Sequence, residues 1–388
     1  MSEWKRYKLN EIASLSNGIN FDKSAYTSGV KLIGVADFKD RVYPDYGSLQ
    51  EVDSKVVRNG DYLEKGDIVF VRSNGNKELV GRCMMIDRDI PVTFSGFCIK
   101  LHLIDKNKFE PAYFNYLFRT REFKKVMTGT AVGANIQNLS QSRLGNCEIN
   151  VPNIETQREL AIIISRYDSL IENYQKQIKL LEESAQRLYK EWFIDLRFPG
   201  HENTKIVDGI PEGWEKKSVD SIYSIKYGKN LSTTLISESG VFPVYGANGV
   251  IGYYDKANCN EQVVLITSRG NGSGDVLMTY HKEAFITNNS FIVTPLEEYL
   301  YCQLPFTYQF LKCVNFRNVR TGAAQPQLTN QSIHTIDVIL PTKDVIVEFC
   351  KKTDSNNSLI INLKEDIRHL TEARDRLLPK LMSGEIEV

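Results

Sequence analysis

A chain of 388 residues is long enough for about two or three domains with cores of their own. Apolar residues make up 42% and charged residues 25%, as in ordinary globular proteins, and the formal net charge is zero. No overall field draws a polyanion to such a chain, so a nucleic acid would have to be met by local basic patches. Cys83, Cys98, Cys147, Cys259, Cys302, Cys313 and Cys350 form no CxxC pair and sit among apolar residues, which reads as reduced core thiols rather than a disulfide framework. Five scattered histidines give no metal spacing, no signal peptide precedes Trp4, and the longest apolar run, 160–164, is far too short for a bilayer. The expectation is a cytoplasmic protein with no membrane partner.

The first segment, 1–154, is strand-rich, with GVKLIGVADF, the alternating Asp67-Ile-Val-Phe-Val71 and FCIKLHLI punctuated by Asn-Gly pairs at 59–60 and 74–75. A helix is predicted from Pro111 to about Val126, with proline in its first turn. An alternating apolar strand follows Leu139-Ser140 through Leu144, Cys147, Ile149 and Val151 to Pro152.

From 155 to 197 the pattern changes. Apolar residues fall at Ile164, Tyr167, Ile171, Tyr174, Ile178, Leu181, Ala185, Leu188 and Trp192, alternating three and four apart. That is a heptad seam, the narrow stripe of a coiled coil. A helix of this length would run about 60 Å and must bury its stripe somewhere. The polar stretch 198–211, with proline and glycine, reads as a linker.

The second half then repeats the first. Trp4, Ile12 and Gly18 return 210 positions later as Trp214, Ile222 and Gly228. Leu139-Ser140 through Pro152 returns 189 positions later as Leu328-Thr329 through Pro341, and Ser73-Asn74-Gly75-Asn76 faces Ser268-Arg269-Gly270-Asn271 at a shift of 195. The segment 212–343 is therefore a duplicate of the first module, with a helical stretch near 298–316. The final segment, 344–388, carries Asn356, Ile360, Leu363, Ile367, Leu370, Arg374, Leu377 and Leu381 in the register of the first seam. Equal length and matching register imply that the two helices pair, and a duplicated layout makes the pair antiparallel. The fold class is α+β: two similar domains of mixed α/β structure separated by a long antiparallel two-helix coiled coil, with pseudo-two-fold symmetry.

Catalytic signatures are missing: there is no Walker A, GxGxxG or HExxH. Pro44-Asp45 with Asp53-Ser54-Lys55 fits a loose PD…(D/E)xK nuclease pattern, but without a counterpart in the second module. A surface turn is the preferred reading. More telling are polar and basic residues in repeated turns: Arg72, Asn74, Asn76 and Lys77 after one strand, Arg269, Asn271 and Ser273 after its counterpart, then Arg317 and Arg320 facing a segment that contains Gln137. Arginine pairs bidentately with guanine, asparagine and glutamine with adenine, and the basic residues also hold phosphates, so these ten are the candidate DNA contacts.

PNIETQRELA (152–161), RLYKEWFIDLRFPGHE (187–202), GIPEGWE (209–215), FPVYGANGVIGYYD (242–255) and RDRLLPKLMSGEI (374–386) together resemble the specificity subunit of Type I restriction-modification systems. The likeness extends over nearly the whole length. It implies two target recognition domains that each read half of a bipartite double-stranded DNA site, an antiparallel coiled coil, and no catalysis in this subunit. It also implies two adenine-N6 methyltransferase subunits and two ATP-dependent translocase/nuclease subunits as partners, which would carry the S-adenosylmethionine, ATP and magnesium; this subunit would need no cofactor. The readings that compete with it are a scaffold whose coiled coil joins other proteins and a metal-dependent nuclease using Asp45, Asp53 and Lys55.

Overall fold

The computed structural model describes residues 4–38, 41–75, 79–128, 138–322 and 326–388. They fall into two compact units, 1–173 with 367–388 and 174–366.

In the first unit the strand Ile68–Val71 is buried at every position. Its pleat sends Ile68 and Phe70 into a core shared with the helix Pro111–Arg119, and Val69 and Val71 into a second core with Ile33, Val92 and Phe94. Four strands in the order Ala13–Asn17, Cys98–Leu103, Ile68–Val71, Cys83–Met85 make one sheet; Gln50–Val52, Tyr26–Ile33 and Val92–Phe94 make another. The second contains a parallel pair, Leu32 beside Thr93. Lys5–Lys8 pairs with Glu148–Val151 and brings the start of the module to its end.

The second unit repeats this plan. Val264 and Ile266 enter the helix-side core while Leu265 joins Tyr245 and Ile286 behind it. The four-stranded order is Tyr223–Tyr227, Ser290–Pro295, Val264–Thr267, Val276–Met278, and the parallel pair recurs as Val244 beside Phe285. Glu215 opposite Leu340 reproduces Lys5 opposite Val151, shifted by 210 and 189. The repeated glycine has a steric reason. A Cβ at Gly18 would overlap the carbonyl oxygens of Phe94 and Ser95, and one at Gly228 those of Ile286 and Thr287.

Several local expectations are corrected. The helix expected over Pro111–Val126 is two, Pro111–Arg119 and Arg121–Thr128. Thr120 is extended between them; its Oγ1 donates to the Leu117 carbonyl at 2.7 Å and accepts from the Phe123 N–H, closing one helix and capping the next. Leu144 lies in a short helix, Gln141–Gly145, capped by Ser140, so the strand begins only at Glu148. The expected linker is ordered. Ile206–Val207 and Ile210–Pro211 form a hairpin across Asp208-Gly209, both at positive φ (52° and 80°), the two-residue turn that Asp-Gly favours. Phe198 packs on Trp214 with ring centroids 5.2 Å apart. Six of the seven cysteines are buried free thiols, but Cys313 is exposed.

The two long helices are Ile154–Tyr189, extended by a π-turn Lys190–Ile194, and Lys343–Ser383. Both therefore stop short of the expected 197 and 388. The wider π-turn lets the adjacent Trp192 and Phe193 both enter the core. Inside the first unit, Leu160, Ala161 and Ile164 share a core with Leu378, Leu381 and Met382, and Asp168 pairs with Arg374. Rising numbers on one helix meet falling numbers on the other, so the pairing is antiparallel. Inside the second unit Tyr189 and Trp192 pack on Phe349, and Glu182 faces Lys364, again antiparallel. Of the seam residues, Ile164, Ile171, Ile178, Ile360 and Leu363 are buried; Tyr167, Tyr174, Leu181, Leu188, Ile367, Leu370 and Leu377 are half-buried.

Lys364 carries a pH dependence. Its Nζ lies 3.2 Å from the Tyr280 ring centroid and 3.9 Å from Glu182, and burial, opposed by Glu182, pushes its pKa down from 10.5 to about 8. The fold prefers the neutral amine, so the group's contribution to stability is complete above about pH 10.5 and is lost as pH falls through about 8. Lys364→Met is expected to raise stability at pH 7 by about 1 kcal/mol, less than the full burial effect because the ring and Glu182 contacts go too. Chemical denaturation between pH 7 and 10.5 checks it: the gain shrinks with rising pH, and a gain constant over that range contradicts it.

Candidate nucleic-acid interface

In the second unit the strands Val264–Thr267 and Val276–Met278 form a hairpin whose loop is held at both ends. Thr267 N–H donates to the Asp275 carbonyl at 2.9 Å and Gly274 N–H to the Thr267 carbonyl at 2.8 Å. Ser268 is buried: its N–H donates to the Asn289 carbonyl, its Oγ to the Asn288 carbonyl, and its own carbonyl accepts from Leu328 N–H at 2.8 Å. A second loop is closed by two reciprocal 2.9 Å bonds between the Thr321 and Gln327 backbones and joins the first through Gly270 N–H to the Pro326 carbonyl. Arg269, Asn271 and Gln327 stand exposed on the resulting two-loop platform.

The other expected contacts of this unit divide. Arg317 is exposed, with Nη2 3.0 Å from the Asp275 carboxylate. Arg320 is half-buried and donates through Nη2 to the Ser273 carbonyl, so it braces the loop. Ser273 is a correction: it is fully buried, its Oγ donating to the Ser268 carbonyl, and it shapes the turn instead of offering a group to a ligand. Arg320→Ala is expected to loosen the loop, visible as faster hydrogen exchange at Gly270–Gly274 with the rest of the unit unchanged; unchanged exchange there contradicts the bracing role.

Among the described residues the first unit repeats the bonds that pin the first loop. Val71 N–H donates to the Arg82 carbonyl and Gly81 N–H to the Val71 carbonyl, both at 2.9 Å; Arg72 N–H donates to the Phe97 carbonyl, and Leu139 N–H to the Arg72 carbonyl at 2.7 Å. Backbone bridges join Ser73 to Asn138 here and Arg269 to Gln327 there. These bonds correct the repeat by one residue. The structural counterpart of Arg269 is Ser73, at a shift of 196, and that of Arg72 is the buried Ser268. Arg72 and Asn74 are half-buried; Asn76, Lys77 and Gln137 lie outside the described residues. Three exposed side chains escaped the sequence reading. Asn138 and Gln327 occupy matching positions one residue before the repeated Leu-Ser/Leu-Thr anchor, a signal that could have found them. Phe97, 60% exposed where the second unit has Asn289, had no such signal.

The nuclease pattern resolves into turn structure. Asp53 Oδ1 accepts from the Lys55 N–H at 2.9 Å, capping the turn Ser54–Val56, and Asp45 pairs with Arg41 at 2.8 Å. Among the described residues no group of three or more His, Cys, Asp or Glu side chains could hold a metal ion. None of their helices is long and apolar enough to cross a membrane.

Two repeated α+β domains, each with a loop pinned by the same backbone bonds beside exposed arginine, amide or aromatic side chains, define a protein with two similar faces. The family model for the Type I restriction modification DNA specificity domain matches residues 1–183 and 211–369, and the chain belongs to that family. It is 27% identical over 314 residues to the Type I restriction enzyme MjaIX specificity subunit of Methanocaldococcus jannaschii, covering 74% of this chain and 72% of that one. It is 23% identical to the HindI specificity subunit of Haemophilus influenzae, with both chains fully covered. The crystal structure of a Type I restriction-modification S subunit from M. genitalium shares the fold, with a TM-score of 0.59 at 19% identity over 98% of this chain and 96% of the other.

Proposed function

We propose that this chain is the DNA-specificity subunit of a Type I restriction-modification complex, reading one half of a bipartite double-stranded site with each unit. The observation that carries this is a loop pinned twice by the same backbone bonds yet flanked by different side chains: Arg269, Asn271 and Gln327 in one unit, Ser73, Asn138 and Phe97 in the other. Equal frames with unequal contacts suit two unlike half-sites. The subunit works without chemistry of its own. Two methyltransferase subunits dock on it and two translocase/nuclease subunits complete the complex, bringing S-adenosylmethionine, ATP and magnesium, in the cytoplasm where host DNA is exposed to them. Family membership supports this division of labour.

Arg269→Ala tests the reading. If Arg269 pairs with a guanine, its loss costs about 1–3 kcal/mol and relaxes discrimination at one position of one half-site. A phosphate contact would weaken binding to all sequences evenly and lower the salt slope by about one unit. Titrations against single-base variants at two salt concentrations, with the methyltransferase subunits present, separate the two. An Arg269→Ala chain with unchanged affinity and selectivity would remove the platform from the interface.

A further inference from the structure

The repeat fails at two charged contacts in the paired helices. In the first unit Asp168 on the first long helix and Arg374 on the second meet at 2.7 Å, with side chains only 14% and 16% exposed. Moving each by 189 positions gives Asn357 and Ala185, and in the second unit those two residues line a cavity of about 30 Å³ with no ion pair between them. The second unit's own seam contact, Glu182 with Lys364 at 3.9 Å, maps the same way onto Thr371 and Gln175. Both acids are therefore on the first helix and both bases on the second, while the uncharged counterparts lie on the opposite helices.

The apolar part of the seam makes no such distinction. Ile171, Tyr174 and Ile178 have the same spacing as Ile360, Leu363 and Ile367, and a helix that pairs with its own pseudo-repeat could equally pair with a copy of itself from another chain. The charges decide differently. Two first helices paired antiparallel would set Asp168 against Ala185 and Glu182 against Gln175; two second helices would set Arg374 against Asn357 and Lys364 against Thr371. The first arrangement buries the Asp168 carboxylate opposite an alanine, which is far costlier than leaving the pair intact, and the second leaves Arg374 with only Asp375 of its own helix, 2.8 Å away.

We propose that Asp168–Arg374, supported by Glu182–Lys364, is a partner code: the seam accepts the second helix of its own chain and rejects a second copy of itself. The inference does not depend on DNA recognition, since it concerns only which helix fills the seam. It is tested in the full-length chain with Gln177→Cys and Cys313→Ser. Residue 177 lies next to the point about which two first helices would be symmetric, so a disulfide between two Cys-substituted chains reports that self-pairing. After refolding at about 100 μM and mild oxidation, the charged seam is expected to give little covalent dimer. Asp168→Ala with Arg374→Ala should raise the dimer at least tenfold, and the exchange Asp168→Arg with Arg374→Asp, which again leaves a charge facing Ala185, should suppress it. If the alanine pair does not refold, Asp168→Asn with Arg374→Gln replaces it with the same expected rise. Equal dimer in the charged, neutral and exchanged seams would overturn the proposal and leave the ion pair a stabilising contact alone.

Discussion

Gly228→Val is expected to unfold the reading domain of the second unit while leaving that of the first intact, and Gly18→Val to do the reverse. The added side chain cannot avoid the carbonyl oxygens of Ile286 and Thr287, or of Phe94 and Ser95, because those groups are backbone. Overpacking against immobile atoms costs about 3 kcal/mol or more. The effect on function is larger than the effect on stability. Two modest affinities on one chain act as one strong one through effective concentration, so losing either reader lowers affinity for the whole site by a factor on the order of 10² to 10⁴. Proteolysis mapped by mass spectrometry shows which unit has opened, and DNA titration gives the loss. A Gly228→Val chain that still binds the bipartite site at full strength would mean that one unit reads it alone.

The second large effect is at Asp168 and Arg374. Burial works against the guanidinium charge, and the Asp168 and Asp375 carboxylates outweigh it, holding its pKa above the ordinary value. Removing Arg374 strands Asp168 in a half-dry seam, whereas removing Asp168 leaves Arg374 its second partner, Asp375, at 2.8 Å. Arg374→Ala alone is expected to cost about 3–5 kcal/mol and Asp168→Ala less, whereas Asp168→Leu together with Arg374→Met, which leaves no stranded charge, should be close to neutral. Equilibrium unfolding of the three variants gives the comparison. Equal losses from the single and the double replacements would show that packing volume, not charge, matters at this position.

Arg374 also shows what could be read from the sequence and what could not. Its place in the heptad register is plain, but the acid that answers it lies 206 positions away and belongs to no local pattern. The duplicated framework was legible because Trp, Ile, Gly and Leu anchors recur at fixed shifts, and each of those shifts reappears as a strand register. The turn alignment slipped by one residue because Ser-Asn-Gly and Ser-Arg-Gly match as letters, while the chain is aligned by backbone bonds to Asn138 and Gln327, far away in sequence. Ser273 looked available in a polar turn, since nothing local tells a serine that holds a loop from one that faces out. Thr120 could have been suspected as a break, because threonine caps helices as readily as it continues them. Asp208-Gly209 was a hairpin signal lost in a stretch that otherwise looks like a linker.

The central claim is that each unit reads one half of the target. The most direct measurement is an exchange: residues 212–343 are replaced by the corresponding domain of a relative with a different target, and the methylome is sequenced in a host that supplies the methyltransferase subunits. One half of the methylated site is expected to change to the donor's while the other half stays as it was. Methylation in which both halves change, or neither does, would contradict it.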